Sequence, residues 1–339
     1  MKNNLQNATV LITGGAGFVG SHLVDSLVTF GAREIRVLDD LSRGRLENLT
    51  HALSSGRVRF YHDDIRNAAL VHHLADGCDV IFHLAAWRIH RCETDPKQAL
   101  DVMVAGTHTV LEAAACAGVK QFIYASSASV YGQATAIPTP ETHPPYANDT
   151  IYGWAKLLGE GLVKRYVMRR SFRGICLRFF NVYGPRMDLE GKYTEVMIRW
   201  IDAVLRNEPP VIHGDGSASY DFVHVRDVVG ACLLAADADC SWGVYNVGTG
   251  RETSLLELAR ILVSLLGKPD IKPHFLCERA PNVFRRCADL NNITRDLGYR
   301  PTISLREGLS DLIRWYISRK SYKCTQEHME NATRIGEKP

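Results

Sequence analysis

The chain has 339 residues, 46% of them hydrophobic, and a formal net charge of +3. That length holds one large α/β unit plus a smaller lobe, and the small charge gives no ground for a nucleic acid or a membrane surface as partner. No apolar run approaches the roughly 18 residues of a membrane span, Met1–Asn7 lacks the apolar centre of a signal peptide, and nine scattered cysteines without a C-x-x-C pair fit a reducing cytoplasm.

In chain order, Thr9–Thr13 is a short apolar strand followed by Gly14, Gly15, Gly17 and Gly20, then a helical pattern at Leu23, Leu27 and Val28. Gly15-x-Gly17-x-x-Gly20 between strand and helix is a dinucleotide fingerprint: glycines allow the tight turn and let the backbone approach a pyrophosphate at the helix N-terminus. A second strand, Glu34–Leu38, ends in Asp39-Asp40. An acid about 20 residues past the turn accepts hydrogen bonds from the adenosine ribose hydroxyls. It repels a 2′-phosphate, so Asp39 argues for NAD, although Arg43 and Arg45 would suit a phosphate.

Strand-like runs recur at Val58–Tyr61, Val80–His83, Gln121–Ala125 and Gly174–Arg178, with helical stretches at 105–117 and 152–169 between them. Such alternation predicts an α/β fold with a Rossmann-type doubly wound parallel sheet, whose ligands sit at the carboxyl ends of the strands. Asp64, Leu84–Trp87 and Ser127 all follow such runs. Tyr152 and Lys156 share one helix face. An ammonium there stabilises a tyrosinate, so the phenol becomes a usable base. A nicotinamide cofactor with Ser127, Tyr152 and Lys156 is equipped to oxidise an alcohol.

From about residue 182 prolines and glycine-rich turns mark a smaller mixed lobe. We expect a dinucleotide-binding domain over 1–181, to which 226–249 return, a substrate lobe over 182–225 and 250–318, and over 319–339 a polar tail, either loose or a partner contact. The thirteen histidines show no metal spacing, so no metal is expected.

These features, with His83-Leu-Ala-Ala86, Leu177–Pro185, Asp221–Asp227, Asn246-Val-Gly248, Asp289 and Leu297-Gly-Tyr299, resemble the extended short-chain dehydrogenase/reductase family. The similarity is to its nucleotide-sugar 4-epimerase branch, typified by UDP-galactose (UDP-glucose) 4-epimerase, over roughly residues 8 to 318. The resemblance implies that Tyr152 takes the proton of the sugar 4-hydroxyl, Lys156 assists it, and Ser127 bonds the reacting oxygen while NAD takes and returns the hydride. It places Gly14, Gly17, Phe18, Val19, Gly20, Asp39, Asp40, Leu41, Ser42, Arg43 and Gly44 at the cofactor. Asp64, Ile65, Leu84, Ala85, Ala86, Arg88 and Phe180 join them there. On the substrate side it places Asn181, Thr194, Val211, His213, Tyr220, Arg279 and Arg286. It also implies a homodimer through the helices carrying Leu111 and Leu157-Leu158.

Ala128 and Ser129 stand where related dehydratases resemble one another in an Asp-Glu pair, and eliminating water needs an acid and a base beyond the tyrosine. Epimerisation of a UDP-hexose or UDP-N-acetylhexosamine is therefore the leading expectation. Three positions depart from the family pattern. Tyr220 replaces a diphosphate-binding arginine, with Arg279 as the second such arginine. Met103 replaces an asparagine that touches the cofactor. Arg286 falls near the position that gates the sugar pocket, where it suits a uronate, a phosphate or water. UDP-glucuronate 4-epimerisation is thus the alternative, and a non-catalytic NAD-binding relative a third reading. His90 and Arg91 read either as sugar-site residues or as a surface loop.

Overall fold

The computed structural model describes residues 5–170, 172–189, 196–276 and 283–336, with backbone alone for 170 and 321–336. Six strands open the chain: β1 (Thr9–Thr13), β2 (Glu34–Asp39), β3 (Val58–His62), β4 (Val80–His83), β5 (Gln121–Ser127) and β6 (Arg173–Phe179). They join Trp242–Val247 in one seven-stranded sheet of order 3-2-1-4-5-6, with Trp242–Val247 beyond β6. Every pairing in it is parallel.

The all-buried pattern of β1 follows from this arrangement, since helices cover both faces of a parallel sheet. Alternate side chains enter different cores: Val10 and Ile12 pack with Leu23, Leu27 and Val228, whereas Leu11 packs with Leu74, Leu111 and Phe122. The first helix, α1 (Phe18–Phe30), ends at Gly31, whose left-handed φ of 83° lets its N–H reach Leu27 O and Val28 O.

The order reverses between β1 and β4, and a crevice opens at their carboxyl ends, as expected of a doubly wound sheet. A second core, with Trp200, Ile201, Leu258, Leu262, Leu309 and Leu312, supports short strand pairs over the crevice. Among these, Asn181–Tyr183 pairs with Phe222–His224, and Ser219–Tyr220 lies between Thr253–Ser254 and Arg285–Arg286.

The polar tail carries helical backbone: the helix that starts at Leu305 runs to Gly336, with no proline to stop it and many good helix formers along it. One expectation changes. The helix expected over 105–117 is the end of a longer one. Pro96–Leu100 passes through a π-helical turn, Asp101–Gly106, into Thr107–Cys116. A Cβ on Gly106 would lie 2.6 Å from Ile65 Cδ1, so the missing side chain admits Ile65 against the turn. Pro96–Cys116 is long and apolar enough to cross a membrane by length and composition, yet half of it is buried, as in a core helix. Leu111 is fully buried, so it belongs to the core rather than to an outer face.

Candidate active site

A cavity of about 520 Å³ lies along the carboxyl ends of the strands. After β1 it is walled by Gly14, Gly17, Phe18, Val19 and Gly20. After β2 come Asp39, Asp40, Ser42, Arg43 and Gly44, and after β3 Asp64 and Ile65. Leu84, Ala85, Ala86 and Arg88 follow β4, and Ser127 ends β5, facing Tyr152 and Lys156. The strand topology thus gathers residues up to 142 positions apart, from Gly14 to Lys156, on one wall.

The glycine turn is built for close approach. A Cβ on Gly20 would stand 2.2 Å from Gly14 O, and one on Gly14 2.8 Å from Ala85 N. Nothing larger fits, and the backbone stays bare where α1 points its N-terminus into the cavity. Asp39 is anchored beside it, accepting the Ala16 and Leu41 N–H groups at 2.9 Å each. Burial pushes its pKa up, against those hydrogen bonds. Asp64 is held by the fork of Arg66 at 2.9 and 2.7 Å, which keeps its pKa down. A bare anion-facing turn with a fixed acid at the next strand end fits a dinucleotide. Gly20→Ala is therefore expected to give protein purified without bound dinucleotide, read from its absorbance after denaturation, or no folded protein at all. A variant that retains a full complement of cofactor would refute this reading of the turn.

Ser127 caps the short turn Ala128–Tyr131: its Oγ accepts the Ser129 N–H at 3.1 Å and donates to Ser129 Oγ at 3.2 Å. Ser127 shares the cavity wall with Tyr152, at the first turn of the helix Ile151–Arg170. Burial raises the Tyr152 pKa above its ordinary value, while Ser127 and the charges of Arg43 and Arg286 pull it back. The expected lowering of the Tyr152 phenol by Lys156 is not seen, since burial outweighs the cations around it. The Lys156 Nζ donates to Ala125 O at 2.5 Å and lies 5.8 Å from the centre of the Tyr152 ring, and burial lowers its own pKa to about 8. Beneath them His83 bridges Thr13 (2.6 Å) and Thr107 (2.9 Å), and burial holds its pKa down to about 3, so it is neutral.

Sequence reasoning missed a buried polar chain behind the serine. Ser126 Oγ donates to Glu160 Oε1 at 2.5 Å, and Arg178 grips Glu160 at 2.8 and 2.7 Å. Arg178 also donates to Tyr131 OH at 2.8 Å, and Tyr131 donates to Asn246 Oδ1 at 2.6 Å. The signal was present in two places. Glu160 sits one turn beyond Lys156 on the same face, and Arg178 stands alone at the end of an apolar strand. Also missed was Asp188, in the cavity wall, which pairs with Arg43 at 3.5 Å and Arg88 at 3.4 Å. It lies in a proline-glycine turn that carries no periodic pattern.

Other expected residues lie off this wall. Leu41 packs into the core beside α1, and Phe180 is buried with Ala128, Val130, Tyr131 and Ala288. Asn181 is half-buried at the strand after β6, and Val211 and His213 are exposed beside His274–Leu276. Tyr220 and Arg286 face each other in register. Met103 is buried, its sulfur 3.5 Å from Cys92 Sγ. His90 lines the cavity, whereas Arg91 stacks over Trp87 at 3.7 Å. Thr194 and Arg279 lie outside the described residues.

Residues 10–248 match the model of the NAD dependent epimerase/dehydratase family. The chain belongs to this family. Like its members, the protein is an NAD-dependent enzyme of nucleotide-sugar chemistry. Among the family's curated proteins, UDP-glucose 4-epimerase of Mycolicibacterium smegmatis is 38% identical over 311 residues, 90% of this chain and 97% of that protein. Among solved structures, UDP-glucose 4-epimerase of Thermotoga maritima with UDP-glucose matches with a TM-score of 0.85 at 33% identity, covering 93% of this chain and 99% of that one. UDP-glucuronic acid 4-epimerase of Bacillus cereus, in complex with UDP-4-deoxy-4-fluoro-glucuronic acid and NAD, matches at 0.81 and 27% identity, over 91% and 99%. Family decarboxylases and dehydratases are similar too, so kinship alone leaves the reaction open.

Proposed function

We propose that the protein is an NAD-dependent nucleotide-sugar 4-epimerase, inverting C4 of a UDP-linked hexose or N-acetylhexosamine through a transient 4-keto sugar. The observation that carries this reading is the chemistry of the Ser127 turn. Ala128 and Ser129 are buried there and neither can transfer a proton for elimination. The acids in the cavity wall are Asp39, Asp40, Asp63, Asp64 and Asp188. The first four follow β2 and β3, far along the crevice from Ser127, and Asp188 is tied to two arginines. What stands beside Ser127 is one tyrosine and one lysine, the set needed to take a proton from an alcohol and return it.

Tyr152 removes the proton of the C4 hydroxyl, and Ser127 donates to the same oxygen. NAD, when bound, supplies the acceptor that takes the C4 hydride and gives it back. Gly14, Gly17 and Gly20 take the pyrophosphate and Asp39 the adenosine ribose. A homodimer through the helices Thr107–Cys116 and Ile151–Arg170 accords with the half-exposed Trp154 and Leu158 on the second of them. Proton NMR of the protein with NAD and UDP-glucose, UDP-N-acetylglucosamine or UDP-glucuronate tests the reaction. A galacto-configured anomeric signal establishes C4 inversion, while a 4-keto-6-deoxy or pentose product would replace this reading by dehydration or decarboxylation.

The lowered pKa of Lys156 gives the rate a pH signature. Its ammonium is present below about pH 8 and lost above it, and with it goes the positive charge that lies 5.8 Å from the centre of the Tyr152 ring. We expect kcat to fall as pH rises through about 8. In Lys156→Arg the guanidinium stays charged throughout, so the rate is lower but flat across that range. An alkaline limb that persists in Lys156→Arg belongs to another group.

A further inference from the structure

Three charged side chains of the cavity wall meet over the glycine turn. In the sheet, β2 and β4 flank β1, so their end loops stand on either side of the turn that follows β1. Arg43 belongs to the loop after β2 and Arg88 to the loop after β4. Neighbouring strands lie about 4.8 Å apart, so roughly 10 Å separates the two loops, within the combined reach of two arginines. Both guanidiniums come to one atom: Arg43 Nη2 lies 3.5 Å and Arg88 Nη2 3.4 Å from Asp188 Oδ2. Together they form a bar from wall to wall of the crevice, with an aspartate of the lobe at its centre.

The backbone behind the bar is held, and the side chains are the parts able to move. Asp188 follows Gly184–Met187, a stretch pinned to α1 on one side. There His22 Nε2 donates to Pro185 O at 2.9 Å, and Arg186 Nη2 reaches Asp25 Oδ2 at 2.7 Å. On the other side Met187 is buried in the core of the lobe. Arg186 keeps a left-handed φ of 67°, a costly conformation for a residue other than glycine, so its surroundings enforce this path of the chain. Two residues past Arg43, the Arg45 N–H donates to Ala16 O at 3.1 Å, and Arg88 stands in extended backbone just before the helix Ile89–Thr94. The three side chains of the bar are 24% to 38% exposed, so water screens the pairs and a side-chain rotation opens them.

We propose that the Arg43–Asp188–Arg88 bar controls the passage of NAD. The dinucleotide lies beneath it, with its pyrophosphate on the glycine turn, and the pairs must part for the cofactor to enter or leave. A lone carboxylate there would repel a diphosphate, but between two guanidiniums it leaves the bar with a net positive charge. The bar is built from the protein's own side chains, so the cost of opening it falls on entry and exit alike. The proposal rests on NAD lying along this crevice and not on the reaction proposed above, and the exchange is read without any sugar, so neither reading falls with the other.

The test is exchange of a fluorescent analogue, etheno-NAD. Mixing the enzyme loaded with it into excess NAD gives the dissociation rate, equilibrium dialysis of the loaded enzyme gives the dissociation constant, and the two together give the association rate. In Asp188→Asn both rates are expected to rise by about fivefold, the scale of one or two partly exposed ion pairs. The signs are decisive. Two arginines released beside a diphosphate would by themselves slow its departure, so slower dissociation overturns the proposal in favour of a simple change of charge. Faster dissociation with an unchanged association rate makes Asp188 an anchor of the cofactor and overturns it as well. So does exchange at the wild-type rate. Asp188→Glu keeps a carboxylate between the arginines and is expected to exchange much as the wild type does. If it is as fast as Asp188→Asn, the packing of the loop and not the bar is responsible, and the proposal fails. Melting temperatures of the loaded variants, expected at the wild-type value for so exposed a position, check that the rates belong to folded protein.

Discussion

Tyr152→Phe is expected to lower kcat for C4 inversion by about 10²–10⁴-fold, the range of a lost general acid–base group, while NAD stays bound. The argument is one of a single atom. The ring of Tyr152 is half-buried and contributes to the core beside Leu111 and Tyr124, so phenylalanine keeps the packing. What disappears is the phenolic oxygen, whose pKa the charges of Arg43 and Arg286 pull down. The glycine turn and Asp39 are untouched, so cofactor content holds. Lys156 keeps its bond to Ala125 O, a contact that does not involve the phenol. The readouts are the rate of appearance of the galacto anomeric proton and the NAD content of the purified variant. A rate within about tenfold of wild type means that another group carries the proton. Loss of NAD together with activity means that Tyr152 serves cofactor binding rather than proton transfer.

The parts of this molecule that sequence reveals are those whose physics is local. The strand β1 is readable because a parallel strand buried on both faces has an apolar run at its centre, here Val10–Ile12, and the glycine turn because close backbone approach tolerates nothing else. Tyr152 and Lys156 are readable because a helix sets their spacing. The parts that stay hidden depend on distant partners. The π-helical turn Asp101–Gly106 has no composition of its own and coincides with the seat of Ile65 against Gly106. Asp188 looks like any turn aspartate until the fold carries it between Arg43 and Arg88. The residues expected on the substrate side are harder still: Tyr220 and Arg286 come from different strands, and only their pairing shows that they share an environment. The position of Lys156 was visible but its effect on the Tyr152 pKa was not. The spacing predicts an ammonium near the phenol, whereas the burial that lowers its pKa follows from packing.

The Glu160–Arg178 pair carries the largest expected effect on stability. Both side chains are almost fully enclosed, 6% and 9% exposed, and the contact is bidentate. Arg178→Met leaves the Glu160 carboxylate buried with only the Ser126 hydroxyl, and breaking such a pair on one side costs about 3–5 kcal/mol. We expect a large drop in Tm with loss of activity, since Ser126 precedes Ser127 on β5 and the chain through Tyr131 and Asn246 ties this turn to Thr139 O and Asp289 O. Removing both charges in Glu160→Leu/Arg178→Met recovers much of that stability, because two well-packed apolar groups offset what a buried pair costs in desolvation. The double variant separates packing from electrostatics at the active site. The Glu160 charge raises the Lys156 pKa, against the burial that lowers it. With that charge gone, Lys156 loses its proton more readily, and the alkaline limb of kcat moves to lower pH in a protein that is otherwise folded. A double variant as unstable as Arg178→Met alone would show that hydrogen bonds to Ser126 and Tyr131, rather than charge pairing, hold the serine turn. An unmoved limb would take Lys156 out of the titration that sets the rate.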